Sequence, residues 1–285
     1  FELYLTLKRT EEELYGVMAE HRDLVISNEL WETYMNNGSR MLNAGTSNDG
    51  TFYFAYLPKN RLELFMLMES DRLANAVFRE YYTERDVVME ELRMSQNDPE
   101  DVLWDSFMST AYTASQYGLP VLGWMSDLKT LTRADLREYY DRFYTPNNAL
   151  VVIVGNVTEE AARASVEKHF GSLARSPDVN RPAPPKPLAA ARKKGASSSR
   201  LGFIMAGYRI PGAGHKDIHA IQLLSLILRR GESSRLYRKL VASKLAVEAG
   251  GQAIVRQQPG VFMVFGAFAN PSAGPSVEKT LIAEM

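Results

Sequence analysis

The sequence contains no cysteine. That excludes disulfides, thiolate metal sites and a cysteine nucleophile, so any bound metal must rely on histidine or carboxylate. Histidine is scarce as well: His21, His169, His215 and His219 make up the four. No apolar run approaches the ~20 residues that a bilayer-spanning helix needs. An excess of charge of either sign is missing too. The 33 Lys+Arg and 34 Asp+Glu leave a net charge of -1, which gives no global case for nucleic acid or an anionic membrane surface as partner. No secretory signal stands at Phe1, and neither does an initiator Met. The expectation is a fragment cut at both ends, stopping at Met285 within an amphipathic helix.

What is present points to a globular chain. Apolar residues make up 45% and charged residues 24% of 285 residues, a composition and length suited to two ordinary domains. Residues 1–24 read as a charged amphipathic helix, and Ser27-Asn28-Glu29 caps a second one. Two strands follow, around 40–46 and 51–57, joined by Ser47-Asn48-Asp49-Gly50. Further helices are expected over 61–73, from an N-cap at Thr83, over 99–114, from Thr132 to Phe143 or Tyr144, and from Thr158 to Phe170. The run Ala149-Leu150-Val151-Val152-Ile153-Val154 reads as a buried strand. Residues 176–199, rich in Pro, Ala and Ser, cannot bury a core and read as a linker. Beyond them come a strand at 201–208, helices at 217–229 and 233–243, and strands at 252–255 and 261–269. The order echoes part of the first half. It predicts an α+β fold: two repeated α/β sandwich subdomains with mostly antiparallel sheets covered by helices, the second subdomain truncated. The expected domains are 1–175, with 1–26 as a helical insertion, and 200–285.

The candidate chemistry sits on Thr83-Glu84-Arg85-Asp86-Val87-Val88-Met89-Glu90-Glu91-Leu92. Glu84 and Glu91 are seven residues apart, two turns at ~3.6 residues per turn, and so share nearly one face. Two carboxylates stacked on a partly buried face repel unless a cation or hydrogen-bond donors lie between them. One could bind a metal while the other stands behind it. A solvated face of Glu–Arg pairs would show the same spacing. His215 and His219 have metal-compatible spacing, but Lys216-Asp217-Ile218 place no general base between them. His169 ends a helix, where a cation suits the dipole.

Several stretches, met in order, resemble the insulinase/pitrilysin family of zinc metallopeptidases, which includes the mitochondrial processing peptidases. Asn43-Ala44-Gly45-Thr46-Ser47-Asn48-Asp49-Gly50-Thr51 is similar to the family's Asn-Ala-x-Thr-Ser-x-Asp-x-Thr strand. Glu84-Arg85-Asp86-Val87-Val88-Met89-Glu90-Glu91 resembles its Glu-Arg-x-x-Val-x-x-Glu helix. Tyr117-Gly118-Leu119-Pro120, Leu131-Thr132, Pro146-Asn147-Asn148-Ala149, Val154-Gly155-Asn156-Val157 and Ser233-Ser234-Arg235-Leu236-Tyr237 follow in the family's order. The resemblance runs from about Ser27 to the end.

This resemblance implies a zinc-dependent endopeptidase. Glu91 would be the third zinc ligand and Glu84 an acidic residue behind the metal. Leu42, Asn43, Ala44 and Gly45 would receive a peptide as an added strand. A second homologous half, in the same chain or another, would close a chamber around peptides or unfolded segments. A bacterial periplasmic or secreted location is expected ahead of a cytoplasmic one. The family's His-x-x-Glu-His motif is absent; the nearest run, Val17-Met18-Ala19-Glu20-His21, has Val where the first His belongs. The two His ligands and the catalytic Glu are therefore expected upstream of Phe1, and this fragment alone is expected to be inactive. The competing expectation is a non-catalytic scaffold or partner subunit that binds peptide or a catalytic half.

Overall fold

A computed structural model describes residues 2–23, 26, 28–180 and 201–285. The elements are helix α1 (Glu2–Asp23), α2 (Glu29–Asn36), strands β1 (Met41–Ser47) and β2 (Gly50–Tyr56), and helices α3 (Leu62–Ala74), α4 (Tyr81–Asn97), α5 (Pro99–Ala111), α6 (Met125–Thr130), α7 (Arg133–Phe143) and α8 (Glu159–Phe170). Then come β3 (Gly202–Ile210), α9 (Ile218–Arg229), β4 (Glu248–Ile254), β5 (Gly260–Phe268) and α10 (Gly274–Glu284). The fold is α+β, as expected, with small antiparallel sheets and a helical majority. The chain divides into two compact units: 1–46, 51–88 and 126–181 form one; 47–50, 89–125 and 182–285 form the other. Most of the expected linker, 181–199, lies outside the described residues.

In the first unit, β1 and β2 form a two-stranded sheet. The Asn48-Asp49 connection is too short for anything but antiparallel pairing. Hydroxyl groups tie the helices together. Tyr34, fully buried on α2, donates to Glu69 Oε1 on α3 at 2.7 Å. Tyr140 on α7 donates to the Arg72 carbonyl at 2.7 Å. The Arg72 guanidinium lies 4.1 Å from the centroid of the Tyr53 ring, a cation–π contact. Burial and the Glu69 carboxylate both push the Tyr34 hydroxyl far above its ordinary range, so it keeps the proton that it donates.

The second unit is built around β5, the centre of the sheet β3-β5-β4. Both pairings are antiparallel, with Gly202 opposite Phe268 and Glu248 opposite Ala267. Side chains alternate across a strand. Phe262, Val264 and Phe268 join Leu228, Leu236, Leu240, Val277 and Leu281 on one face. Val261 joins Met108, Ala111, Tyr112 and Tyr117 on the other. This double burial explains why β5 reads as a continuous apolar run. Each fully buried Leu contributes ~1.5–3 kcal/mol relative to exposure. At Gly266 an added Cβ would lie 2.8 Å from Val277 Cγ1, so the missing side chain is what lets α10 lie close on the sheet.

Local signals held at several element ends. Thr132 and Asp135 form a reciprocal capping box on α7, and Thr158 accepts from the Ala161 amide at the start of α8. Other expectations fail. α4 starts at Tyr81, so Thr83 is an interior residue rather than the N-cap. Asn28 precedes α2 in the left-handed conformation at φ 59 and makes no side-chain cap bond. Residues 149–154 form no strand: a ladder requires a partner, none is present among the described residues, and Leu150, Val152 and Val154 are 87%, 70% and 92% exposed. The helix expected at 233–243 becomes a π-helix over Tyr237–Val241, where the Ala242 amide reaches back to the Tyr237 carbonyl.

Candidate functional site

Helix α4 positions both candidate carboxylates. Leu92, 4% exposed, anchors its buried side, while Glu84 and Glu91 lie on exposed positions. The partly buried face expected for the pair is therefore not observed. Among the described residues neither carboxylate enters a hydrogen bond or an ion pair. Their neighbours differ. Glu90 accepts from Arg93 Nη1 at 2.7 Å, and Arg85 reaches Asp86 at 3.7 Å and donates to the Leu131 carbonyl at 3.3 Å. Neither Glu84 nor Glu91 has a base three or four residues away, the spacing at which ion pairs form on a helix, so both carboxylates are left unpaired.

No three His, Asp or Glu side chains are grouped closely enough to hold a metal among the described residues. Glu91 thus fits as a single ligand, with an unpaired carboxylate available, and the chain's described residues do not complete a zinc set, which requires about four donors. His215 does not share a helix face with His219. It lies in the turn before α9, where Nδ1 accepts from the Asp217 amide at 3.2 Å. His169 has a structural partner, Glu63 on α3, at 2.8 Å.

The second candidate element is β1. It pairs with β2 alone among the described residues, leaving it at a sheet edge. Asn43 and Ala44 are exposed; Leu42 and Gly45 are half-buried. Gly45 lies under the Phe52 ring, so an added Cβ would sit 2.5 Å from Phe52 Cζ. The Ala44 amide donates to the Asn43 side-chain oxygen at 2.8 Å. A side chain thus occupies a main-chain donor on an edge strand, one way such edges are protected from unwanted pairing.

The hairpin turn is held by groups that sequence reasoning left without a role. Tyr117, 1% exposed, donates to Asp49 Oδ1 at 2.5 Å, and the Gln257 amide donates to Asp49 Oδ2 at 2.9 Å. The Gln258 amide donates to the Tyr117 hydroxyl oxygen at 3.1 Å. Burial and the Asp49 carboxylate push the Tyr117 hydroxyl up to about 12. The motif stretches around residues 49 and 117 marked both residues but carried no sign that the two meet.

Comparison with known proteins supplies the context. The family model described as Insulinase (Peptidase family M16) matches residues 23–124, the stretch carrying β1 and α4. The model described as Peptidase M16 inactive domain matches residues 130–285, more than half of the chain. The zinc protease PqqE of Helicobacter pylori is 33% identical over 85% of this chain and 56% of its own length. A crystal structure of a protease from Helicobacter pylori superposes with a TM-score of 0.78 at 29% identity, covering 90% of this chain and 64% of that one. The fold likeness extends to the first half of the periplasmic protease PqqL from Escherichia coli, with a TM-score of 0.66 at 24% identity, over 90% of this chain and 58% of that one. The chain spans about half the length of the curated relatives it matches. With its motifs, its fold and both matches agreeing, the chain belongs to the insulinase family, peptidase family M16.

Proposed function

We propose that this chain contributes one zinc ligand and the peptide-receiving strand to a zinc-dependent endopeptidase. One observation carries the reading: Glu91 stands unpaired on α4 while the adjacent Glu90 is neutralised by Arg93. Relatives named as zinc proteases support it. Glu91 would hold zinc together with two histidines from residues outside this sequence. Bound zinc polarises a carbonyl and lowers the pKa of its water toward ~7. Glu84, two turns away on the same face, is ~10 Å along the axis, too far to share one ion easily, and would act by accepting a hydrogen bond from a ligand or water.

β1 would bind an extended peptide along its open edge. Main-chain hydrogen bonds bind any sequence, and pockets between side chains add preference. At Ala44 a peptide carbonyl would displace the Asn43 side chain, which already satisfies that amide. A second homologous half would enclose the peptide, a reading consistent with a periplasmic relative whose first half has been solved as a separate structure. The same likeness supports a periplasmic or secreted setting. Residues 1–175 and 200–285 would be the two subdomains, with 176–199 between them and 1–26 as an insertion.

A second reading, a non-catalytic partner half, is favoured by the inactive-domain match over 130–285. Metal content and cleavage of a quenched peptide decide between them in the full-length protein. Glu91→Gln should lose both zinc and turnover, because an amide oxygen is a much poorer zinc ligand than a carboxylate. Glu84→Gln should retain metal better and lose ~10–100-fold in activity. Glu90→Gln should retain both. Zinc retained in Glu91→Gln but lost in Glu90→Gln would shift the assignment by one residue; no zinc and no cleavage in the wild type would favour the partner-half reading.

A further inference from the structure

We propose that Asp49 is a positioning residue for the peptide-receiving strand, acting through Tyr117; the inference rests on the proposed role of β1. The turn that ends β1 belongs to the second unit, and inside that unit Asp49 is the centre of a built cluster. Both of its carboxylate oxygens are engaged, one by a buried phenol and one by a backbone amide. The phenol is held in turn. Its oxygen accepts the Gln258 amide, its ring meets Tyr112 edge-on at 5.5 Å between centroids, and the Arg256 guanidinium lies 5.7 Å from its centroid. Tyr112 donates to the Pro259 carbonyl at 3.1 Å and is covered by Arg209 at 4.1 Å. The turn at 257–260 that supplies these partners leads straight into β5, the most buried strand.

Nothing in the hairpin's own length requires this. A two-residue turn closes through its local geometry, and here Ser47 Oγ already donates to the Gly50 carbonyl at 3.2 Å. The Asp49 cluster adds an attachment of the strand's end to a rigid core. Strand addition needs such an attachment. A two-stranded hairpin is marginal by itself, and a peptide that must first order its receiving edge binds more weakly by the ordering cost. Holding the turn therefore shows up as peptide affinity, not as chemistry.

The test uses Asp49→Asn, Tyr117→Phe and the double variant in the full-length protein, with amide exchange by mass spectrometry, zinc content, and KM and kcat on a quenched peptide. Tyr117→Phe keeps the ring and its packing, so it decides the matter alone if Asp49→Asn does not fold. Exchange across 41–47 should rise ~10-fold in each single variant: Tyr117→Phe removes the hydroxyl that donates to Asp49 Oδ1, and Asp49→Asn leaves one acceptor oxygen for two donors. The double variant should rise by less than the product of the two, since both act on one connected network. KM should rise ~10-fold, equivalent to ~1.4 kcal/mol, with kcat within ~2-fold and zinc unchanged. Wild-type exchange across 41–47, or faster exchange with an unchanged KM, overturns the proposal. If the wild type cleaves nothing, the proposed function falls; the affinity of a labelled peptide for wild type and Tyr117→Phe then replaces KM, and equal affinities overturn the role of Asp49.

Discussion

A carboxylate's surroundings, more than its place in a motif, separate one Glu from another in this chain. Glu91 is unpaired, Glu90 is paired, and Glu63 is saturated. Glu63 on α3 accepts from Lys168, from His169 at 2.8 Å and from Ser165 at 3.0 Å, all on α8. The Lys168 ammonium, then His169, then Ser165 hold its carboxyl down at about 2. A folded-state pKa below the unfolded value, ~4.3, gives stability that is fully present above that value and is lost as pH falls through the folded pKa. Glu63→Gln should therefore flatten the acid limb of the melting temperature between about pH 5 and pH 2, while lowering the midpoint at neutral pH. Melting temperature against pH for both proteins checks it. An acid limb as steep in the variant as in the wild type would mean that the pairing across α3 and α8 carries no net stability.

At the level of elements, two glycines with similar crowding should behave differently. An added Cβ at Gly45 would meet the Phe52 ring, which is 58% exposed and can swing away. One at Gly266 would meet Val277, fully buried on α10. Gly266→Ala should cost ~1–3 kcal/mol through overpacking, while Gly45→Ala should cost less than half of that; urea denaturation of each variant measures the difference. The same contrast explains why strand assignments succeeded unevenly. β5 carries its apolar run because helices cover both faces. The equally apolar 149–154 pairs with nothing among the described residues, and an apolar run alone cannot report whether a ladder partner exists.

At the scale of the whole molecule, buried and exposed apolar surface are unevenly shared. Both apolar clusters found among the described residues belong to the second unit. The first unit leans on tyrosine hydroxyls and cation–π contacts and exposes Leu150, Val152 and Val154. An extended apolar segment with unpaired main-chain groups is a template for association. Val152→Lys should lower self-association of this chain at a given concentration without altering its helix content; light scattering and far-UV circular dichroism measure the two. Scattering unchanged from wild type would show that 149–154 is not the sticky surface.

Much of the fold is legible in the sequence alone. Periodicity placed most of the helices, though not α6, because a 3.6-residue repeat of apolar side chains is a local property. Thr132 and Thr158 marked helix starts, because a cap needs only its own first turn. The ordered motifs from Asn43 to Tyr237 named the family, and the spacing of Glu84 and Glu91 put both acids on one helical face. Tertiary structure decided the rest. It brought Asp49, Tyr117 and the 257–258 amides together across 208 residues of separation. And it withheld a partner from 149–154. Each of these depends on a contact between distant residues, and a pattern read along one chain carries no information about which distant group will arrive.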